Sequence, residues 1–256
     1  MLLTIDMGNT NIVLGCLDGE KVLFTERMET NLRKTELEYA IAFRTVLELY
    51  RIPPEELEGV IISSVVPPLV PVLKAALGKL TDVQILVVST EIQTGLTLRM
   101  DNPAAVGSDL IVDAVAALAL YGAPAIVIDM GTATTLSVLA KDGAYVGTII
   151  LPGARISLDS LTACTAKLPK IDLTTPKKVV GKNTADCMRS GILYGSAAAL
   201  DGMIDRIWDE LGYETQVIAT GGLSHAVVPH CCHRIQLNDE LLLQGLRMIY
   251  EMNRRK

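Results

Sequence analysis

The chain opens on a short apolar run, Leu2-Leu3-Thr4-Ile5, that leads into Asp6-Met7-Gly8-Asn9-Thr10. A second run, Ile12-Val13-Leu14, follows, then the pair Asp18-Gly19 and a third run, Val22-Leu23-Phe24. Short β-rich runs joined by glycine-containing turns predict a three-stranded meander. The period then changes. Thr35-Glu36-Leu37-Glu38 has the form of a capping box. Behind it Tyr39, Phe43, Val46, Leu47 and Tyr50 recur at helical spacing. Pro53-Pro54 stops that helix. Gly59 to Val66 reads as a buried strand closed by Pro67-Pro68, with a helix around Leu69 to Leu80 and a strand at Gln84 to Ser89 after it.

The same grammar returns at mid-chain. Ile126-Val127-Ile128 leads into Asp129-Met130-Gly131-Thr132-Ala133-Thr134, then Leu136-Ser137-Val138-Leu139, the pair Asp142-Gly143, and Tyr145 to Ile150. The first Asp precedes its Asp-Gly pair by 12 residues in one copy and 13 in the other, and the copies lie 123 residues apart. Asn183-Thr184 then opens a long helix to about Leu211, Gln216 to Thr220 reads as a strand closed by Gly221-Gly222, and Glu240 to Asn253 as an amphipathic helix. Two unrelated hairpins would have to reproduce one order twice, so duplication is the better reading. It predicts an α/β protein of two similar lobes, 1-115 and 116-256, with a cleft between them.

Composition narrows the function. Half of the 256 residues are hydrophobic but only 4% aromatic, so the core is built from aliphatic side chains. The net charge of −6 comes without a basic stripe, which argues against nucleic-acid binding. The apolar stretch from Asp109 to Tyr121 is too short and too interrupted to cross a membrane. MLLTIDMGNT lacks the basic start of a secretory signal. Five cysteines, odd in number and without C-x-x-C spacing, read as reduced thiols. A cytoplasmic protein is expected.

The paired loops carry the chemistry. Gly8 and Gly131 let the backbone approach a ligand closely, and successive N–H groups in such a turn form an anion site. Asn9, Thr10, Thr132 and Thr134 add side-chain donors. Asp6 and Asp129 would repel phosphate unless a cation stands between, usually hydrated Mg²⁺. Loops from two lobes would then clamp one polyphosphate. A single loop of this kind is often only a turn; two at duplicated positions point to function. Asp109 follows Gly107 at a helix start. Such an acid can simply favour the dipole or serve as a base.

Taken together, DMGNTNIV at 6–13, DNPAAVGSD at 101–109, DMGTATT at 129–135, PG at 152–153, TAKLP at 165–169, GKNT at 181–184, SGILYG at 190–195 and ATGG at 219–222 resemble the type III pantothenate kinases. These are homodimeric members of the acetate and sugar kinase/Hsp70/actin superfamily. The resemblance implies a duplicated actin-like (ribonuclease H-like) fold and phosphorylation of pantothenate by ATP, the first step of coenzyme A synthesis. It implies that Asp6, Met7, Gly8, Asn9, Thr10, Asn11, Ile12 and Val13 hold ATP and, through Asp6, Mg²⁺. Thr132 would touch ATP from the second loop. Asp129 would bind a monovalent cation, potassium or ammonium. Asp109 would be the general base, and Gly107, Ser108, Asp109, Leu110 and Thr184 would line the acceptor site near a dimer interface.

Two positions depart from the family pattern. Leu110 stands where Arg usually follows the base, and Met100 where Tyr usually precedes Asp101-Asn102-Pro103. Both missing side chains grip pantothenate in the family. Arg99 or a residue of a partner subunit could supply the cation. Otherwise the acceptor is a different small alcohol, or the chain is a nucleotide-binding regulator without activity. Cys231-Cys232-His233, with His225 and His230, lacks zinc-site spacing and reads as a surface loop. Gly221-Gly222 would either admit the adenosine or turn the chain into a helix. Arg254-Arg255-Lys256 reads as a solvated helix end.

Overall fold

The computed structural model describes residues 1–89 and 91–254; Arg255 and Lys256 of the basic run lie outside the described residues. The chain forms two compact units. The first comprises Met1–Leu96, Asn102–Ala116 and the chain from Glu240 onward, the second Thr97–Asp101 and Ala117–Asp239.

The first unit opens with the meander β1 (Leu2–Met7), β2 (Asn11–Asp18) and β3 (Lys21–Glu29). Helix α1 (Glu36–Leu49) starts at the capping box: the Glu38 N–H donates to Thr35 Oγ1 at 3.4 Å, and the Thr35 N–H donates to Glu38 Oε2 at 2.7 Å. Its Tyr39, Phe43 and Leu47 are buried against Ile5, Leu14 and Ile62 in one core. Each such burial contributes about 1.5–3 kcal/mol. Strand β4 (Gly59–Ser64), helix α2 (Val70–Leu77) and strand β5 (Ile85–Val87) follow, and helix α3 (Ser108–Tyr121) begins in this unit. The sheet order is β3-β2-β1-β4-β5, with β1 antiparallel to β2 and parallel to β4.

The second unit repeats the plan. Strands β6 (Ala125–Met130), β7 (Ala133–Leu139) and β8 (Tyr145–Pro152) form the meander. Helices α4 (Ala154–Ala163) and α5 (Thr184–Leu211), strand β9 (Gln216–Thr220), helix α6 (Ser224–Val227) and strand β10 (Gln236–Leu237) complete it. The order β10-β9-β6-β7-β8 is the first sheet's order with equivalent strands exchanged one for one. Helix α5 has both ends fixed. The Asp186 N–H donates to the Asn183 side chain at 2.9 Å, and Gly212 closes the helix at φ 73°. Helix α4 has no counterpart among the expected elements.

The last helix, α7 (Leu241–Asn253), packs with the first unit, whereas a division at 115/116 groups it with the second. Three glycines explain why. A Cβ on Gly15 would lie 2.7 Å from Leu243, one on Gly59 1.9 Å from the Tyr250 hydroxyl, and one on Gly245 2.2 Å from the Val112 carbonyl oxygen. The helix therefore seats on β2, β4 and α3 at close range. The segment at 97–101 goes the other way: the Arg99 N–H donates to the Tyr145 carbonyl at 2.8 Å, and Tyr145 N–H to Thr97 O at 2.8 Å. Gly245→Val should therefore destabilise the protein by about 1–3 kcal/mol through overpacking, read as a lower Tm in thermal unfolding. An unchanged Tm would mean that α7 is not seated there.

Candidate functional site

Both central strands carry the same burial pattern, buried at every position except a half-buried Asp one residue from the end. In β1 that residue is Asp6, in β6 Asp129. Apolar residues hold each strand inside its sheet, and the acid emerges at the carboxyl edge. This is where open α/β sheets bind ligands.

In the first unit Asp6 lies opposite Val13 on β2 and Ser63 on β4. The turn between β1 and β2 closes with the Gly8 N–H donating to Asn11 O at 3.0 Å. The Gly8 carbonyl in turn accepts from Thr30 Oγ1 at 2.7 Å, and the Thr30 N–H donates to Thr10 O at 2.9 Å. Asn9, Thr10 and Asn11 are exposed at the tip, while Ile12 is buried beneath it. The loop is thus braced by Thr30, just past β3, while its polar side chains remain open to solvent.

The start of α3 is tied to this same edge. Ser108 Oγ donates to Ser64 O and accepts from the Ser64 N–H, both at 3.0 Å, and shares a third bond of 3.0 Å with Ser63 Oγ. Ser63 faces Asp6 across the β1–β4 pair, so the next residue of α3, Asp109, is anchored beside the first loop. The Ser108 hydroxyl is saturated by these contacts, so its role is positioning. Burial pushes the Asp109 carboxyl above its usual range, opposed by the Leu110 N–H donating to Oδ1 at 2.9 Å. A carboxylate with raised basicity suits a general base. Gly107 makes room for it: a Cβ there would lie 2.4 Å from Asp109 Oδ1. Leu110 follows on α3, half-buried.

In the second unit Asp129 stands between Thr220 and Thr135 in register. Its carboxylate fills space that Gly221 leaves. A Cβ on Gly221 would come within 2.5 Å of Oδ1, and one on Gly131 within 3.5 Å of Oδ2. Gly221 also has φ +91°, and its carbonyl accepts from the Ser224 N–H at 3.1 Å and Ser224 Oγ at 2.7 Å. The Gly221-Gly222 pair is therefore a turn into α6 that also walls Asp129. Gly153 does the same for the loop at Thr132: a Cβ there would lie 2.2 Å from the Thr132 carbonyl. Thr132 is exposed. Thr184 opens α5, exposed, in this unit, apart in assignment from Gly107, Ser108, Asp109 and Leu110.

Arg99 belongs to the second unit, and its guanidinium pairs with the Asp142 carboxylate. Cys231 and its neighbours have structural partners. The Cys232 N–H donates to Asp201 at 2.8 Å, His233 bonds Asp205 and His225 bonds Asp239, each at 2.8 Å, and burial raises the Cys231 thiol to about 12.

Two units of one topology, each offering an acid-ended central strand and a glycine turn, define the duplicated actin-like fold of ATP-using kinases. Solved structures agree. A ROK hexokinase from Thermus thermophilus matches with a TM-score of 0.50 at 13% identity, covering 97% of each chain. Component A of (R)-2-hydroxyglutaryl-CoA dehydratase from Acidaminococcus fermentans matches with a TM-score of 0.56 at 16% identity, covering 96% of this chain and 94% of that one. Identities this low bear on the fold alone.

The chain belongs to the type III pantothenate kinase family, whose model matches residues 2–206. A type III pantothenate kinase of Moorella thermoacetica is 42% identical over 255 residues, covering 99% of this chain and all of the relative. One from Brevibacillus brevis is 44% identical, covering 99% of each.

Gly107→Ala tests the seat of Asp109. The clash is with a side-chain end that can rotate away, so the fold should survive with Tm nearly unchanged. Phosphotransfer should fall about 10²-fold, as for a displaced catalytic group. Equal loss of folding and activity, or loss of neither, would contradict this reading.

Proposed function

We propose that this protein transfers the γ-phosphoryl group of ATP to the primary alcohol of pantothenate, giving 4'-phosphopantothenate for coenzyme A synthesis. The observation that supports it most directly is Asp109, a basic carboxylate locked beside the Asp6 loop by Ser108. In this reading the loop of residues 6–13 holds the ATP phosphates through backbone N–H groups and the Asn9, Thr10 and Asn11 side chains. Thr132 adds a donor from the second loop. Asp109 Oδ accepts the alcohol proton as the phosphoryl group leaves ATP, late in a loose transition state.

Hard oxygen donors fit the expected cations. The Asp6 carboxylate suits a hydrated Mg²⁺, and the cradle that Gly131 and Gly221 leave around the Asp129 carboxylate suits potassium or ammonium. When bound, these ions neutralise charge on the phosphates. Leu110 offers no charge to the pantothenate carboxylate, and Arg99 is paired with Asp142. The counter-charge is then supplied by a partner subunit in a homodimer. Exposed Ile150, Ile156, Leu161, Val179 and Val180 favour self-association. No helix among the described residues is long and apolar enough to cross a membrane, consistent with a cytoplasmic enzyme.

Leu110 and Met100 support one second reading, a kinase for a different small alcohol. The experiment is a steady-state screen of the purified protein with ATP, Mg²⁺, potassium and a panel of alcohols. Pantothenate should give the highest kcat/KM; turnover of another alcohol with none of pantothenate would establish the second reading.

Asp109→Asn should lower kcat by about 10²–10⁴-fold while ATP binding persists. Because the base acts ionised and its pKa is raised, the acid limb of kcat/KM should lie above the ordinary Asp range near about 3.9. Full activity of Asp109→Asn, or a limb at or below that range, would remove Asp109 from the role.

A further inference from the structure

Two side-chain hydroxyls of the second unit are buried without a hydrogen-bond partner among the described residues: Thr135 Oγ1 on β7 and Thr148 Oγ1 on β8. A buried hydroxyl left so is costly unless something completes it. The surroundings of the two differ. Thr135 lies directly opposite Asp129 in the antiparallel β6–β7 pair. Such residues share one face of the sheet, with Cβ atoms about 4.5–5.5 Å apart. On that face the Asp129 carboxylate occupies the space that Gly221 leaves, and Thr220 flanks it from β9. Thr148 instead lies opposite Ser137, whose hydroxyl is engaged with the Tyr145 hydroxyl at 3.0 Å. Strand β8 is two strands away from β6, so roughly 10 Å separates Thr148 from Asp129.

The pairing of Thr135 with Asp129 is the informative one. A hydroxyl beside a carboxylate ordinarily donates to it, because a charge-assisted bond is stronger than a neutral one. Thr135 Oγ1 makes no such bond. A carboxylate and a neutral oxygen that face one space from adjacent strands, without bonding each other, are a fitting pair of ligands for a cation. One negative charge with a neutral oxygen suits a monovalent ion. Divalent ions gather carboxylates or keep their waters, whereas neutral oxygens can replace the hydration shell of potassium.

We propose that Thr135 Oγ1 is an oxygen ligand of the monovalent cation held by Asp129, potassium or ammonium. This rests on the reading that Asp129 holds such an ion, and adds to it a neutral ligand fixed by the register of the sheet. The placement has a consequence for the loop of residues 130–134. Asp129 enters that loop from β6 and Thr135 follows it on β7, so the two residues close its base around one ion. Thr132, carried on the loop, is thereby held in place for ATP.

The test is cation binding by the full chain. Thallium-205 NMR reads it directly, with Tl⁺ standing in for potassium, and thermal unfolding compares potassium, ammonium and choline salts. Each is run with and without Mg²⁺ and a non-hydrolysable ATP analogue. Potassium should raise the wild-type Tm above its value in choline. Thr135→Val should weaken Tl⁺ binding about tenfold or more, as for a lost polar contact to a charged group. Its Tm in choline should equal or exceed that of the wild type, because an apolar isostere replaces an unsatisfied hydroxyl. Thr135→Ser, which keeps the hydroxyl, should restore binding. Thr148→Val, which removes the other unpartnered hydroxyl, should leave binding unchanged. Undiminished Tl⁺ binding to Thr135→Val, equal losses in Thr135→Val and Thr148→Val, a Thr135→Ser no better than Thr135→Val, or a wild type that binds no Tl⁺ under any of these conditions would each overturn the proposal. None of these readouts uses turnover. A chain that phosphorylates pantothenate while Thr135→Val binds Tl⁺ normally keeps the kinase reading and loses this one; a chain that binds Tl⁺ through Thr135 yet phosphorylates no alcohol does the reverse.

Discussion

The structure depends on a central strand that is buried on both sides and ends in an acid. In β1 and β6 alike, aliphatic residues fix the strand between a parallel and an antiparallel neighbour, and Asp6 or Asp129 emerges where that burial stops. The carboxylate gains its position from the packing behind it, since a one-residue slip in register would send every side chain to the opposite face of the sheet and move the acid with them. The glycines around it then act as spacers for charge. Gly107 and Gly221 each leave room for a carboxylate oxygen that a methyl group would crowd out.

Around the first acid, polar contacts replace what a larger loop would otherwise provide. Ser108 joins the start of α3 to the end of β4 through three hydrogen bonds, so a helix distant in sequence delivers Asp109 to the edge where Asp6 emerges. Such a knot is net stabilising by only about 0.5–1.5 kcal/mol per bond. Its larger effect is on geometry, because Asp109 shares a frame with the loop beside it.

Much of this was legible in the chain itself. The duplicated Asp-x-Gly grammar, the capping box at Thr35 and the limits of α5 are local patterns, and local patterns survive folding when the core agrees with them. What stayed hidden depends on contacts between distant residues. The membership of α7 is decided by Gly15, Gly59 and Gly245, which look like ordinary glycines until a side chain or backbone is found against each. The pairing of Arg99 with Asp142 brings together positions 43 residues apart. Helix α4 carries an exposed Ile156 and Leu161 beside its buried Ala154 and Leu158, which blurs its helical period.

The seating of α7 also bears on how the protein is made. The second unit is nearly continuous in sequence and is complete once Asp239 has been synthesised. The first unit, although begun at Met1, still lacks the helix that covers Gly15, Gly59 and Val112. On a ribosome that adds about 5–20 residues per second, the earlier half of the chain must therefore wait with an apolar face uncovered while the later half matures. The order of birth and the order of completion are reversed. A chaperone or a short delay at the carboxyl end would meet this protein with its first unit still open.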